Sequence, residues 1–189
     1  MKSKKNQKRL TAKTIVHVVS GSIAAYKAGD VVTKLREEGA RVLCILTPPA
    51  RHFVTPLVLR ALSGERVYDD FFSADAQHSV IHTELAQSAD LVLVSPASAD
   101  FIAHLAAGFA GDLASCTVLA ATAPVVVVPA MNDQMLNHPA TSRNLKVLKG
   151  FGYHLVPPVV GHLVCGKEAV GHIASDDAIV AAVSNLLGS

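Results

Sequence analysis

Four side chains in this sequence could do chemistry together: His82 in IHTEL, Asn132 and Met135 in PAMNDQM, and Cys165 in LVCGKEAVGH. An imidazole with an unperturbed pKa near ~6.5 suits proton abstraction at neutral pH. A thiol near ~8.5 can deliver a proton. Each also has a plainer use. A His at a helix start is ordinarily a surface or capping residue, and an Asn after a strand is ordinarily a satisfied turn residue. A free Cys ordinarily packs as a small hydrophobe. Cys165 differs in its surroundings, because it shares a loop with Gly161, Gly166 and Gly171 rather than sitting in a core strand. The other histidines, at 17, 52, 78, 104, 138, 154, 162 and 172, show no metal-ligand spacing.

These residues need a scaffold, and the apolar pattern supplies one. Runs of β-branched residues at 14–19, 41–46, 91–95, 125–128 and 153–156 read as strands. Helical spacing fills 24–38, 56–64, 82–88, 98–107, the segment from Asp112 to about 121, then 134–150 and 176–187. The strands are apolar on both faces, as in a parallel sheet covered on both sides. Alternating strands and helices predict a doubly wound α/β sandwich, with ligands at the strands' carboxyl ends.

Those ends carry small and polar residues. After the first strand comes SGSIAAYK, with Gly21, Ser22, Ile23 and Ala24 opening a helix. It is neither G-x-G-x-x-G nor a P-loop. It suits a phosphate on free N–H groups, or it is a tight turn with no ligand. Thr47 follows the second strand, and Ser98, Ala99, Asp100 and Phe101 follow the third. Ala130 opens the loop that holds Asn132.

Composition narrows the class. Half of the 189 residues are hydrophobic and 17% are charged, which favours an oligomer that hides apolar surface. The net charge of +2 is misleading. Residues 1–13 hold six of the 17 basic residues and no acid. The remaining 11 basic and 15 acidic residues make the body about −4. The first 13 residues are expected to be a disordered basic tail, and 14–189 a single domain. No aromatics interleave with the basic residues, so nucleic acid is not an expected partner. Residues 113–132 carry no charge, but Pro124 and Pro129 break them into helix, turn and strand rather than a membrane span. Cys44, Cys116 and Cys165 are odd in number and far apart, which points to a reducing, cytoplasmic setting.

Taken in order, GSIAAYK, IHTEL, PASAD, PAMNDQM and the Cys-Gly loop resemble the homo-oligomeric flavin-containing cysteine decarboxylases, from about Ile15 to Ser175. Within them the PAMN form with a downstream Cys is most similar to the phosphopantothenoylcysteine decarboxylases of coenzyme A synthesis. The resemblance implies a flavodoxin-like three-layer α/β/α fold, FMN near subunit interfaces, and a trimer or dodecamer. It places FMN on Ser22, Ile23 and Ala24 beside Gly21, and on Thr47, Ser98, Ala99, Asp100, Phe101 and Ala130. It gives His82 an active-site role, Asn132 and Met135 the substrate carboxylate, and Cys165 proton donation. The implied reaction oxidises the thiol-bearing carbon to a thioaldehyde, loses carbon dioxide to an ene-thiolate, and reduces it again. A neutral amide such as Asn132 can hold a carboxylate without over-stabilising the charge that must be lost.

The resemblance has departures. The family's Cys loop reads A-C-G-D-x-G-x-G-R-M; here Lys167 replaces Asp, Ala169 a Gly, and His172-Ile173 the Arg-Met pair. Another cysteine-terminated substrate, such as a peptide, is therefore a second reading, and a non-enzymatic flavoprotein binding a partner is a third. A flavin prenyltransferase is disfavoured by PAMN with Cys165. Ending at Ser189, the chain is expected to lack a fused synthetase.

Overall fold

The computed structural model describes residues 8–71, 80–162, 166 and 168–188. Six parallel strands form one sheet: β1 (Thr14–Val19), β2 (Arg41–Leu46), β3 (Val67–Tyr68), β4 (Leu91–Ala97), β5 (Val125–Pro129) and β6 (His154–Leu155). Their spatial order is β3-β2-β1-β4-β5-β6. The chain winds outward from β1, then returns to lay β4 on its other side, so the direction switches between β1 and β4. One layer over the sheet holds α1 (Ala28–Glu37), α2 (Pro56–Ser63) and α8 (Asp176–Leu187). The other holds α3 (Ile81–Ser88), α4 (Ala99–Ala107), α5 (Leu113–Ala120) and α7 (Pro139–Gly150). This is the flavodoxin-like α/β/α sandwich that the pattern and resemblance predict.

Period 2 along β1 divides the core. Ile15 and Val19 pack towards Val31, Leu35 and Ile179, while Val16 and Val18 pack towards Phe101, Ile102 and Leu148. Both faces are dry, which is why the strands read as unbroken apolar runs.

Several elements differ from the sequence reading. The helix expected over 24–38 begins as a 3₁₀ turn, Ile23–Lys27, before α1. The helix expected over 134–150 is two: α6 (Asp133–Asn137) and α7. His138 between them is extended (φ −63°, ψ 136°), because Pro139 disfavours helix at the residue before it. Much of the described Gly-rich segment is strand, not loop, although Gly166 lies in a bend. β7 (Val159–His162) and β8 (Glu168–His172) form an antiparallel hairpin outside the main sheet. Its residues are largely exposed and glycine-interrupted, so no apolar pattern marked it.

Residues 8–13, expected as part of a tail, pack against the domain. Leu10 is wholly buried in the α1–α8 core, and its N–H donates to Glu38 O at 2.9 Å. Arg9 pairs with the Glu38 carboxylate. One apolar residue among the cations anchors residues 8–13; the first seven lie outside the described residues.

Hydrogen bonds tie the carboxyl ends of β1, β4 and β5 together. Ser20, fully buried, donates its hydroxyl to Pro96 O (2.7 Å) and accepts from Ser98 N–H (2.8 Å). Ala130 N–H donates to Ala97 O (3.1 Å). Below them His17, wholly buried, donates Nε2–H to Ser95 O (2.8 Å). Its other ring nitrogen has no partner among the described residues.

Two expectations follow. Ser20→Ala strands the Ser98 N–H, while Pro96 O keeps the Ser20 backbone N–H (3.2 Å), and should cost about 1–3 kcal/mol in urea unfolding; no change would show the loops are held by other means. Burial pushes His17 down from 6.5 to about 4, with the Ser95 bond opposing. Its contribution is intact above about pH 6.5. As pH falls from there towards 4, the unfolded chain takes up a proton that the folded ring refuses, so up to about 3 kcal/mol is lost. Wild type should therefore lose stability faster than His17→Gln between pH 7 and 4.5; parallel curves would contradict this.

Candidate active site

A cleft of about 370 Å³ opens at the carboxyl ends of β1 and β5. Its floor comes from the first loop. Ser22 caps the 3₁₀ turn by accepting from Ala24 N–H (3.3 Å), and its hydroxyl reaches Ala130 O (3.4 Å). Ile23 and Tyr26 stand exposed at one rim, 55% and 60% accessible. The second wall is Ala130, Met131 and Asn132. Asn132 caps α6, its Oδ1 accepting from Gln134 N–H (2.9 Å). The third wall is the hairpin, through His162, Gly171, His172 and then Ile173.

Gly171 joins the second and third walls. Its carbonyl accepts from Met131 N–H (3.1 Å), and a Cβ there would collide with Met131 O. Its φ of 147° also lies where side chains are rarely tolerated. Glycine lets the hairpin lie directly on the PAMN loop.

The structure thus brings Ser22, Ile23, Ala24, Ala130 and Asn132 into one cleft. Gly21 lies in the same turn, packed so closely on Pro49 that a Cβ would clash. Thr47 is buried at the end of β2, with a hydroxyl lacking a partner among the described residues. Ser98 caps α4 by accepting from Phe101 N–H (3.1 Å), and Ala99 begins that helix. Asp100 points to solvent near His104 (3.6 Å), and the Phe101 ring is buried in the core. None of Thr47, Ser98, Ala99, Asp100 or Phe101 lines the cleft.

Met135 is exposed on α6 and also outside the lining. His82 is not in the cleft either. It sits half-buried at the start of α3, in the opposite layer from α1, with its ring edge-on to Phe71 at 5.9 Å. Cys165 lies outside the described residues, between β7 and β8 in sequence. Sequence reasoning gave Tyr26, His162 and His172 no site role. Tyr26 is one 3₁₀ turn beyond Ile23, a spacing that could have found it; the two histidines reach the cleft only through the hairpin.

The other thiols are poor candidates for chemistry. Burial pushes Cys44 up to about 12. Burial and then Asp112 also raise Cys116, whose thiol donates to Ala110 O. Among the described residues no cluster of His, Cys, Asp or Glu could hold a metal ion, and no helix is long and apolar enough to cross a membrane.

The chain is similar in sequence and in fold to known proteins. The chain is 45% identical over 171 residues to the coenzyme A biosynthesis bifunctional protein CoaBC of Escherichia coli, covering 90% of this chain and 42% of that protein. The CoaBC of Bacillus subtilis is 43% identical over 171 residues, with 90% and 42% covered. The chain therefore spans about two-fifths of the length of these relatives. Among solved structures, a PPC decarboxylase variant complexed with pantothenoylaminoethenethiol superposes with a TM-score of 0.83 at 29% identity, covering 94% of this chain and 99% of that one. The FMN-dependent cysteine decarboxylase SpaF superposes with a TM-score of 0.82 at 30% identity, covering 94% and 97%. The Flavoprotein family matches residues 3–188, all but the extreme ends, and the chain belongs to that family.

Proposed function

We propose that this protein is an FMN-dependent decarboxylase that converts 4′-phosphopantothenoylcysteine to 4′-phosphopantetheine and carbon dioxide, a step in coenzyme A synthesis. The observation that carries the reading is the docking of the hairpin on PAMN through Gly171. It holds Asn132, the first loop and the strands that bracket Cys165 around one cleft. The likeness to CoaBC and to PPC decarboxylase supports it.

The strand ends fit FMN. Ser22 and Ser98 carry hydroxyls at neighbouring turns, and the buried Thr47 hydroxyl lacks a partner among the described residues. Ala24 and Ala130 keep the walls low enough for a flat ring. Gly21, Ile23, Ala99, Asp100 and the backbone at Phe101 complete the expected holding set. When bound, FMN would supply the two-electron oxidation of the thiol-bearing carbon and the matching reduction after loss of carbon dioxide.

The chain's own residues orient and move protons. The Asn132 amide oxygen is committed to Gln134 N–H, so donation to the substrate carboxylate falls to its Nδ2 hydrogens. Met131 and the aliphatic walls keep water from that carboxylate, with Met135 one turn further along α6. His82 withdraws the substrate thiol proton, and Cys165 supplies the proton that completes the product. Because α3 lies in the other layer, His82 needs a neighbouring copy to deliver it. The exposed Ile23, Tyr26, Phe53, Leu57, Phe109 and Leu119 favour such a homo-oligomer, a trimer or dodecamer. A cytoplasmic setting accords with a working thiol.

A second reading, decarboxylation of a cysteine-terminated peptide, draws on the altered Cys loop and on the likeness to SpaF. Turnover of the phosphopantothenoyl substrate against a Cys-terminated peptide separates the two.

The purified protein should show oxidised-flavin absorption bands and release carbon dioxide from 4′-phosphopantothenoylcysteine; a colourless chain that takes up no FMN refutes the proposal. Cys165→Ser should accumulate the oxidised, decarboxylated ene-thiol, detectable by mass, whereas full turnover would remove Cys165 from the reaction. Gly171→Ala should lower kcat/KM by at least about tenfold, because the hairpin must shift off Met131; unchanged kinetics would show that this contact does not shape the site.

A further inference from the structure

His172 lines the cleft, half-buried, and neither of its ring nitrogens has a partner among the described residues. A ligand that fills the cleft takes water from that ring and must offer it a hydrogen bond in exchange.

The backbone aims the ring there. Val160 pairs with Val170 while Val159 pairs with His172, so Gly171 is the extra residue of a β-bulge. A regular strand would put residue 172 on the face of Val170 and Glu168. The bulge turns it to the opposite face, over Gly161, where an added Cβ would come within 2.9 Å of the His172 Cβ and Cγ. The residues on either side are fixed. Gly171 O accepts from Met131 N–H (3.1 Å), and Ile173 is buried. The backbone that carries the ring has little freedom left to lose on binding.

The same contact decides what the ring meets. Asn132 follows Met131 and His172 follows Gly171, so one backbone bond sets the two side chains beside each other in the cleft. His162 stands on the other face of the hairpin, opposite Glu168, and plays no part in this arrangement. Among the described residues no carboxylate lines the cleft; Asp133, next to Asn132, accepts from Gln134 Nε2 (3.3 Å) instead.

We infer that His172 is a second donor to the substrate carboxylate, its imidazole N–H serving one oxygen and the Asn132 amide the other. This rests on the decarboxylase reading and adds a residue to the binding of the reacting end. The cleft walls are largely apolar, and a carboxylate brings two oxygens that both need donors there. The bond exists before carbon dioxide leaves and is lost with it. His172 therefore acts on substrate affinity and does not lower the barrier.

Calorimetry on the FMN-loaded full chain tests this with two ligands that lack the thiol. 4′-Phosphopantothenoylserine keeps the carboxylate, and 4′-phosphopantothenoylethanolamine does not. H172A should weaken the serine ligand about tenfold and leave the ethanolamine ligand unchanged. H172Q, which keeps an N–H donor, should recover most of that loss. G161A keeps the imidazole but displaces its ring, and should show the same selective loss as H172A. In turnover of 4′-phosphopantothenoylcysteine, H172A should raise KM by a similar factor without lowering kcat. Equal weakening of both ligands, or no change in either, overturns the inference and leaves the decarboxylase reading intact. Wild type that binds neither ligand and turns over no substrate overturns the underlying reading as well.

Discussion

A parallel sheet ends in N–H and C=O groups with no further strand to bond, and the loops must satisfy them. In this protein that requirement builds the site. The buried Ser20 hydroxyl donates to one carbonyl and accepts from one N–H of the β4 turn, so β1 and β4 leave the sheet in fixed register. Ala97 O and Ala130 N–H extend the tie to β5. Ser22, Ser98 and Asn132 are then free to cap the next helical turns. Each spends its side-chain oxygen on a local N–H two or three residues on. The loops are short and bonded to one another, so residues far apart in sequence meet with little freedom left to lose on binding.

The hairpin extends this frame to a fourth segment. It joins no main strand, and its residues are too exposed to be held by burial alone. Gly171 bonded to Met131 substitutes for the missing core, at a spot where backbone meets backbone. The cleft is therefore a product of one close approach between two loops. A glycine in that role is an ordinary residue in the sequence and becomes informative only when its neighbour is known.

This accounts for what could be read from residues alone. The layering and five of the six strands were legible because strands dry on both faces leave runs such as VVVV. The two-residue β3 and the hairpin were not, since very short or exposed strands carry no period, whereas β6 falls within the strand read at 153–156. Pro139 marks the break between α6 and α7, which a helical spacing count across 134–150 overrides. The docked Leu10 was hidden by the cations around it. For the cleft, Ser22 through Ala24, Ala130 and Asn132 follow from the rule that ligands meet strand ends. His82 does not join them within one chain, because α3 covers the other face of the sheet.

The departures from the family's Cys loop fall into different physical classes once placed. Ile173 is buried in the α1–α8 core, so exchanging Met for Ile there concerns packing, where a swap of similar volume costs little. Ala169 is half-buried opposite Gly161 in the ladder and adds a methyl to a strand pair. Of these three, His172 and Ile173 line the cleft and Ala169 does not. Lys167 lies outside the described residues. Of the three described exchanges, His172 is the polar one, and Ile173 and Ala169 are apolar. His172 sits on the hairpin wall, while the amide that holds the reacting end belongs to a different loop. The two walls touch through backbone at a glycine, so a side-chain exchange at 172 leaves in place the contact that positions the Asn132 loop.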